Sequence, residues 1–381
     1  MEIRKWNKKS KPYIDLLKSI NQEDFILDPF SGSGTTLLTA KELGINGIGF
    51  ETNPFLAFTA KVKLTDFNEN EIKELKRILK NVQNLEFEPS IKPPKLSISK
   101  KLFREQLKTT LMIKEYIQSI KNTKLRDLLA LAFLCVLEDA SYAKKDGNGL
   151  KYPKSKKPKN MKDAFIKQIT LMILDLNNYS KNSTMTSYIY NCKTQTENDK
   201  NFSPISKTYL FHEDCRKIDR ILQNKENVRK KDLLNEFELN RLSEFKDKIS
   251  LIVFSPPYMN CFDYTEIYKI ELWFGDFVKE YSDLKDLRRD SLTSHMNKSF
   301  KDDASYQNQF TKYFSKLLKE KNLWNKKIPL MVRGYFGDMW LNLGFQKCHI
   351  EVARHLGTSS QQYNKVNDPS ILRESLIILK K

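Results

Sequence analysis

Cysteine and histidine are scarce. The chain holds five cysteines in 381 residues (Cys135, Cys192, Cys215, Cys261 and Cys348), and no two form a C-x-x-C pair. The four histidines, His212, His295, His349 and His355, show no metal-ligand spacing. No zinc site or other metal is therefore expected, and the cysteines read as reduced residues of a cytosolic protein. No apolar run approaches the roughly 18 residues of a membrane span. The opening stretch Met1–Leu17 lacks the apolar core of a signal peptide, so a cytoplasmic protein is expected. Acidic residues are also in deficit: 47 Asp+Glu stand against 66 Lys+Arg, a net charge of +19. That excess suits either a polyanionic partner such as nucleic acid or a generally lysine-rich composition.

Glycine and proline are sparse as well, 12 and 13 in all, so the places where they concentrate carry information. Phe25–Asp28 is a short apolar run that leads into the turn-rich PFSGSGTT, then LLTAKELG with helical spacing, then a second strand, Gly47–Glu51. This strand–loop–helix–strand unit opens a doubly wound α/β sheet. From about Asn68 to Ser206 the pattern is helical, most strongly over Lys124–Ala143. The segment Lys144–Lys162 carries eight lysines, one acidic residue, two glycines and two prolines, and is expected to be a loop. Strand patterns return at Thr208–Asp214, Ile249–Tyr258, Lys327–Gly334, Phe345–Arg354 and Ser375–Lys381. The expected organisation is a split catalytic domain, 1–67 and 207–381, around a mainly helical insertion, 68–206, that serves as a target-recognition region.

The string Asp28–Thr36 reads D-P-F-S-G-S-G-T-T. Gly32 and Gly34 let backbone approach a ligand closely. A loop that leaves a parallel strand and opens a helix sits at the carboxyl edge of the sheet, where α/β proteins bind ligands. Glu51 ends the next strand, 23 positions after Asp28, where a carboxylate accepts from both ribose hydroxyls. A nucleoside is implied. The Lys-[Ser/Thr] ending of a P-loop is absent, and Leu37 stands where a dinucleotide loop carries its third glycine. Two acidic residues suit a phosphate-free, positively charged cofactor better than a pyrophosphate.

Ser255-Pro256-Pro257-Tyr258 directly follows the apolar strand LIVF. Two prolines stiffen the backbone and remove two N–H donors. A row of acceptors remains, the Ser255 hydroxyl and the proline carbonyls, beside the flat face of Tyr258. An exocyclic amino group on a base is a poor nucleophile because its lone pair is delocalised into the ring. Acceptors that hold its N–H groups free that lone pair for attack on a sulfonium methyl. A base in a duplex must first be flipped out, and Tyr258 offers a stacking surface for it.

Together these two strings resemble the amino-methyltransferases of DNA, the N6-adenine and N4-cytosine enzymes, which pair D-P-F-x-G-x-G-T with [DNS]-P-P-[YFW]. The resemblance covers Lys11–Asp66 and Thr208–Lys381. It implies a Rossmann-like class I methyltransferase sheet and S-adenosylmethionine as cofactor. Asp28, Phe30, Gly32, Gly34 and Thr35 would line the methionine part, Glu51 the ribose, and Asp214 the adenine amino group. Lys11-Pro12-Tyr13, with Leu16 and Leu17, would close over the methionine end. Ser255, Pro256, Pro257 and Tyr258 would be catalytic. In the family, Ser at the first position goes mostly with cytosine N4, so this base is favoured over adenine N6. The order of the motifs, Asp28 to Ser255 with the helical region between, suits a recognition region placed inside the catalytic domain.

Double-stranded DNA is the expected partner, with a cognate restriction endonuclease sharing the site. The phosphate-contacting candidates are Lys144, Lys145, Lys151, Lys154, Lys156 and Lys157, with Arg288 and Arg289 beyond the helical stretch Phe262–Phe277. Ser294-His295 and Arg354–Gln362 are weaker candidates at the base pocket. Tyr264, Tyr268 and Trp273 are expected to pack as core. The C5-cytosine enzymes are set aside, because they need a Pro-Cys nucleophile and no Pro-Cys occurs here. RNA, a protein glutamine and a non-catalytic DNA-binding scaffold remain as alternatives.

Overall fold

The computed structural model describes residues 23–146, 149–181, 206–218, 245, 248–255, 257, 263–294, 325–343, 347–355 and 373–380. The chain opens with β1 (Phe25–Asp28), α1 (Thr35–Glu42), β2 (Asn46–Phe50) and α2 (Pro54–Leu64). Every residue of β1 and β2 is buried, as befits strands covered on both faces. Asn53 caps α2: its side chain accepts from the amides of Phe55 and Leu56, and Pro54 fills the first helical position, where no N–H partner is needed.

A helical block follows: α3 (Glu69–Gln83), α4 (Ser99–Phe103), α5 (Leu107–Ser119) and α6 (Thr123–Val136). Asn68 and Glu71 form a reciprocal capping box at the start of α3. The antiparallel hairpin β3 (Lys144–Asp146) and β4 (Gly149–Lys151) and the long α7 (Met161–Lys181) complete it. One hydrophobic cluster joins Leu75 of α3, Ile113 of α5, Leu129 of α6 and Phe165 of α7 to Phe55 and Val62 of α2.

Strand β5 (Thr208–Phe211) and strand β6 (Ile249–Ile252) come next, then α8 (Tyr264–Ile267), α9 (Lys269–Phe274), α10 (Tyr281–Asp290) and α11 (Ile328–Leu343). Ile270, Leu272, Trp273 and Phe274 of α9 enter the same cluster as the helical block. Last come β7 (Lys347–His355) and β8 (Arg373–Lys380), which pair antiparallel as a separate ribbon with an irregularity between Val352 and Arg354.

The central sheet has the order β5-β2-β1-β6, and all three pairings are parallel. The fold is therefore α/β, with the sheet of a class I methyltransferase. The chain runs outward from β1 through β2 to β5 and then returns to the other side of β1 as β6. The order reverses between β1 and β6, and a ligand crevice opens at such a switch point, beyond the carboxyl ends of the strands.

Three expectations are corrected. Lys327–Gly334 is not a strand but the start of α11. Met331, Val332, Tyr335 and Asp338 are buried, a spacing of three to four that belongs to a helix. Lys144–Lys162 is not simply a loop. Asp146 and Gly149 face each other as the last pair of the antiparallel β3–β4 hairpin. The helical stretch after Phe262 is two short helices, α8 and α9, broken at Tyr268. Among the described residues no helix is long and apolar enough to cross a membrane.

Candidate active site

The glycine loop is held from three sides. From within, the Asp28 carboxylate accepts from the Phe30 amide at 3.0 Å, and the Asp28 carbonyl accepts from the Ser31 hydroxyl at 3.0 Å. From β2, the Phe50 carbonyl accepts from the Ser31 amide at 2.9 Å. From α2, Lys63 Nζ donates to the Ser33 carbonyl at 2.9 Å. Gly34 has φ +77°, and a Cβ there would stand 2.7 Å from the Ala60 Cβ, so conformation and space both require glycine. Gly49 of β2 serves the same docking: a Cβ there would stand 2.6 Å from Leu37 Cδ1.

Glu51 is the hinge of the arrangement. Its Oε2 accepts from the Gly32 amide at 2.8 Å and its Oε1 from the Asn53 amide at 2.7 Å. One carboxylate thus bridges the loop and the α2 cap, each oxygen taking one of these amides and keeping a lone pair beyond it. Burial pushes its pKa up to about 7, against the pull of the Asn53, Gly32 and Thr52 amides, and the nearby Asp28 adds to the rise. Burial also raises Asp28, to about 6.

Strand β6 delivers the second motif to the same edge. The Val253 amide donates to the Leu27 carbonyl at 2.9 Å, which prolongs the pairing with β1. Phe254, the residue before Ser255, then packs on Phe30 with ring centroids 5.6 Å apart, so the lead-in to the second motif touches the first. One cleft is lined by Phe30, Gly32 and Glu51 from the first motif and by Ser255 and Pro257 from the second. Asp214, just after β5, lines it too, with Asp263, Tyr264 and Thr265 at the start of α8, Asp290 at the end of α10 and Ser291, Leu292 and Ser294 after it.

The other expected site residues fall as follows. Asp28 is buried under the loop, Gly34 backs onto Ala60 and Thr35 is exposed at the start of α1; none of these three lines the cleft. Lys11, Pro12, Tyr13, Pro256 and Tyr258 lie outside the described residues, as does His295. Of the presumed core aromatics, Trp273 is fully buried and Tyr268 packs on Phe55, whereas Tyr264 faces the cleft.

The basic candidates divide. Lys144, Lys151, Lys154 and Lys157 are exposed, with Lys151 paired to Asp146. Arg289 is exposed and pairs with Asp286 at 2.8 Å. Three others are turned inward. Lys145 forms an ion pair with Glu271, which is 3% exposed. Lys156 donates to the carbonyls of Glu138 and Ala143. Arg288 Nε donates to Asp263 Oδ2 and Thr265 Oγ1, each at 3.0 Å, and its Nη2 pairs with Glu266. These three charges are spent on the protein's own acceptors.

Sequence reasoning missed Asp263 and Arg216. Asp263 caps α8 through the Thr265 amide and hydroxyl while it holds Arg288. The D-Y-T string is a usable cap signal. Arg216, two residues after Asp214, chelates that carboxylate and also reaches Asp338, for which no local pattern gives notice. Among the described residues no group of His, Cys, Asp and Glu is arranged to hold a metal ion.

A DNA methylase family model matches residues 13–62, the span of the glycine loop and Glu51. The chain is similar to the Type II methyltransferase M.BsoBI of Geobacillus stearothermophilus: 29% identity over 276 residues, 70% of this chain and 50% of the relative. It is 28% identical over 343 residues to the Type II methyltransferase M.AvaI of Anabaena variabilis, 82% of this chain and 63% of that one. A shorter match, 32% over 139 residues, joins it to the Type II methyltransferase M.MjaII of Methanocaldococcus jannaschii, 34% of this chain and 26% of the relative. The chain therefore spans between half and two thirds of the length of the first two. No solved structure matches. The glycine loop, the acidic strand end and the Ser255 and Pro257 edge thus gather at one switch point in a chain that is similar to Type II DNA methyltransferases.

Proposed function

We propose that this chain transfers a methyl group from S-adenosylmethionine to the exocyclic N4 of cytosine in duplex DNA, as the modification enzyme of a restriction–modification system. The observation that carries the reading is the shared cleft: Gly32 and Glu51 of one motif and Ser255 and Pro257 of the other line a single opening.

The residues present fit the cofactor. Beyond the Gly32 and Asn53 amides Glu51 keeps a lone pair on each oxygen for the two ribose hydroxyls, and the half-buried Gly32, which lines the cleft without a side chain, offers a close approach for the methionine part. Phe30, Gly34 and Thr35 shape that loop, Asp28 underpins it, and Asp214 meets the adenine amino group. Lys11, Pro12 and Tyr13 close the methionine end. When bound, the sulfonium supplies an electrophilic methyl group and departs as a neutral thioether.

The chain's own contribution is positioning and charge stabilisation. The Ser255 hydroxyl and the Pro256 carbonyl accept the two N–H groups of the cytosine amine, which draws the nitrogen lone pair out of conjugation. That lone pair would then be free to take the methyl group the sulfonium supplies, and the nitrogen would release one proton to solvent water. Pro257 holds the turn rigid, and Tyr258 stacks on the flipped base. The exposed Lys144, Lys151, Lys154 and Lys157, with Arg289, supply phosphate contacts. Lys145, Lys156 and Arg288 serve DNA only indirectly, by holding the hairpin and α8 in place. A restriction endonuclease that cuts the same site is the expected partner.

The test is incubation with plasmid DNA and methyl-labelled S-adenosylmethionine, followed by nucleoside mass spectrometry. N4-methylcytosine is expected. N6-methyladenine would overturn the choice of base, and label-free DNA would overturn the whole reading.

A further inference from the structure

We propose that Arg216 is a positioning residue that sets the adenine selectivity of the cofactor pocket by fixing Asp214 against Asp338. The inference rests on the assignment of this cleft to S-adenosylmethionine.

Arg216 follows β5 in a short 3-10 turn, and its guanidinium joins three segments. Nε and Nη2 grip Asp214, with contacts of 2.6 to 3.0 Å. Nη1 donates to Asp338 Oδ1 of α11 at 3.0 Å. Nη2 also donates to the Asp290 carbonyl at the end of α10, at 3.0 Å. Asp338 is 1% exposed, so its carboxylate needs this partner. Its Oδ2 accepts from the Thr293 amide at 2.9 Å and the Thr293 hydroxyl at 2.7 Å. Two walls of the cleft, Asp214 on one side and the stretch around Asp290 and Ser294 on the other, are thereby tied to one cation.

The consequence for recognition follows from counting protons. Three N–H groups reach the Asp214 carboxylate: the Arg216 amide on Oδ1, Nη2 on Oδ2, and Nε, which the two oxygens share. A carboxylate offers about four acceptor positions for these three donors, so an incoming donor takes the position that the shared Nε cedes. The bidentate fork fixes the plane of the carboxylate and hence the direction of that position. An amino group satisfies it; a carbonyl in the same place meets a second acceptor and is rejected. Lysine in place of Arg216 is a single point charge that cannot span Asp214, Asp338 and the Asp290 carbonyl at once.

Calorimetry with S-adenosylhomocysteine and its deaminated counterpart S-inosylhomocysteine tests this. The wild type should prefer the adenine ligand by at least tenfold. Arg216→Lys should weaken S-adenosylhomocysteine about tenfold and leave S-inosylhomocysteine within about twofold, so that the preference collapses. Should Arg216→Lys fail to fold, Asp338→Asn carries the same test, because it keeps the volume and one acceptor oxygen. Equal losses for both ligands, or an undiminished preference, would overturn the positioning role. Failure of the wild type to bind either ligand would instead overturn the cofactor assignment.

Discussion

Raising the pH from 6 to 8 should tighten the binding of S-adenosylhomocysteine by roughly tenfold. The group responsible is Glu51, whose burial lifts its pKa to about 7. Each of its oxygens already accepts one backbone amide, from Gly32 and from Asn53. The two ribose hydroxyls need the remaining lone pair on each oxygen, and a proton on either oxygen removes one of them. The ligand therefore binds the ionised form. For a group of pKa 7 that form is roughly one part in eleven at pH 6 and ten parts in eleven at pH 8, which gives the tenfold ratio. The sign is fixed: the pKa is raised in the free protein, so proton release accompanies binding and affinity climbs with pH. Asp28, raised to about 6, makes the climb below pH 7 steeper for the sulfonium of S-adenosylmethionine than for the neutral thioether. Titration calorimetry across this range, in buffers of differing ionisation heat, reads both affinity and proton release. Glu51→Gln should bind weakly with a flat profile. A wild-type affinity that is constant from pH 6 to 8, or that strengthens on acidification, would refute the reasoning.

Four further outcomes are expected. Ser255→Ala should lower turnover by about 10² to 10³ with cofactor affinity within about twofold, measured by methyl-transfer kinetics beside calorimetry. Gly34→Ala should cost roughly 1–3 kcal/mol by denaturant titration, since an L residue at φ +77° is strained and its methyl meets Ala60. Lys145→Met should destabilise the fold by about 3 kcal/mol, because the buried Glu271 loses its cation. Lys154→Ala and Lys157→Ala should leave stability within about 0.5 kcal/mol, yet each should reduce the salt slope of DNA binding by about 1 in a filter-binding series.

The sheet was readable because its strands are short apolar runs closed by turn residues, and because parallel pairing brings all their carboxyl ends together. With β1 and β6 as parallel neighbours, the meeting of Gly32 with Ser255 follows from topology. The start of α11 misled because an apolar run of a few residues has no decisive period; only the burial of Met331, Val332, Tyr335 and Asp338 shows the helical repeat. The basic segment misled in a different way. Lysine composition reports charge, not direction, and Lys145 and Lys156 turn toward acceptors that stand elsewhere in the chain. Arg216 and Asp338 lie 122 positions apart, so no local pattern could have joined them. The helical region was legible as helix, but not its union with α2 and α9 in one core, which only long-range packing reveals.

The cleft itself is tested most directly by a crystal structure of the protein with S-adenosylhomocysteine. The ligand should lie across the carboxyl edge between β1 and β6, its ribose on Glu51 and its sulfur facing the Ser255–Pro257 turn. A ligand bound away from this edge, or a Ser255 turn facing away from the sulfur, would contradict the account.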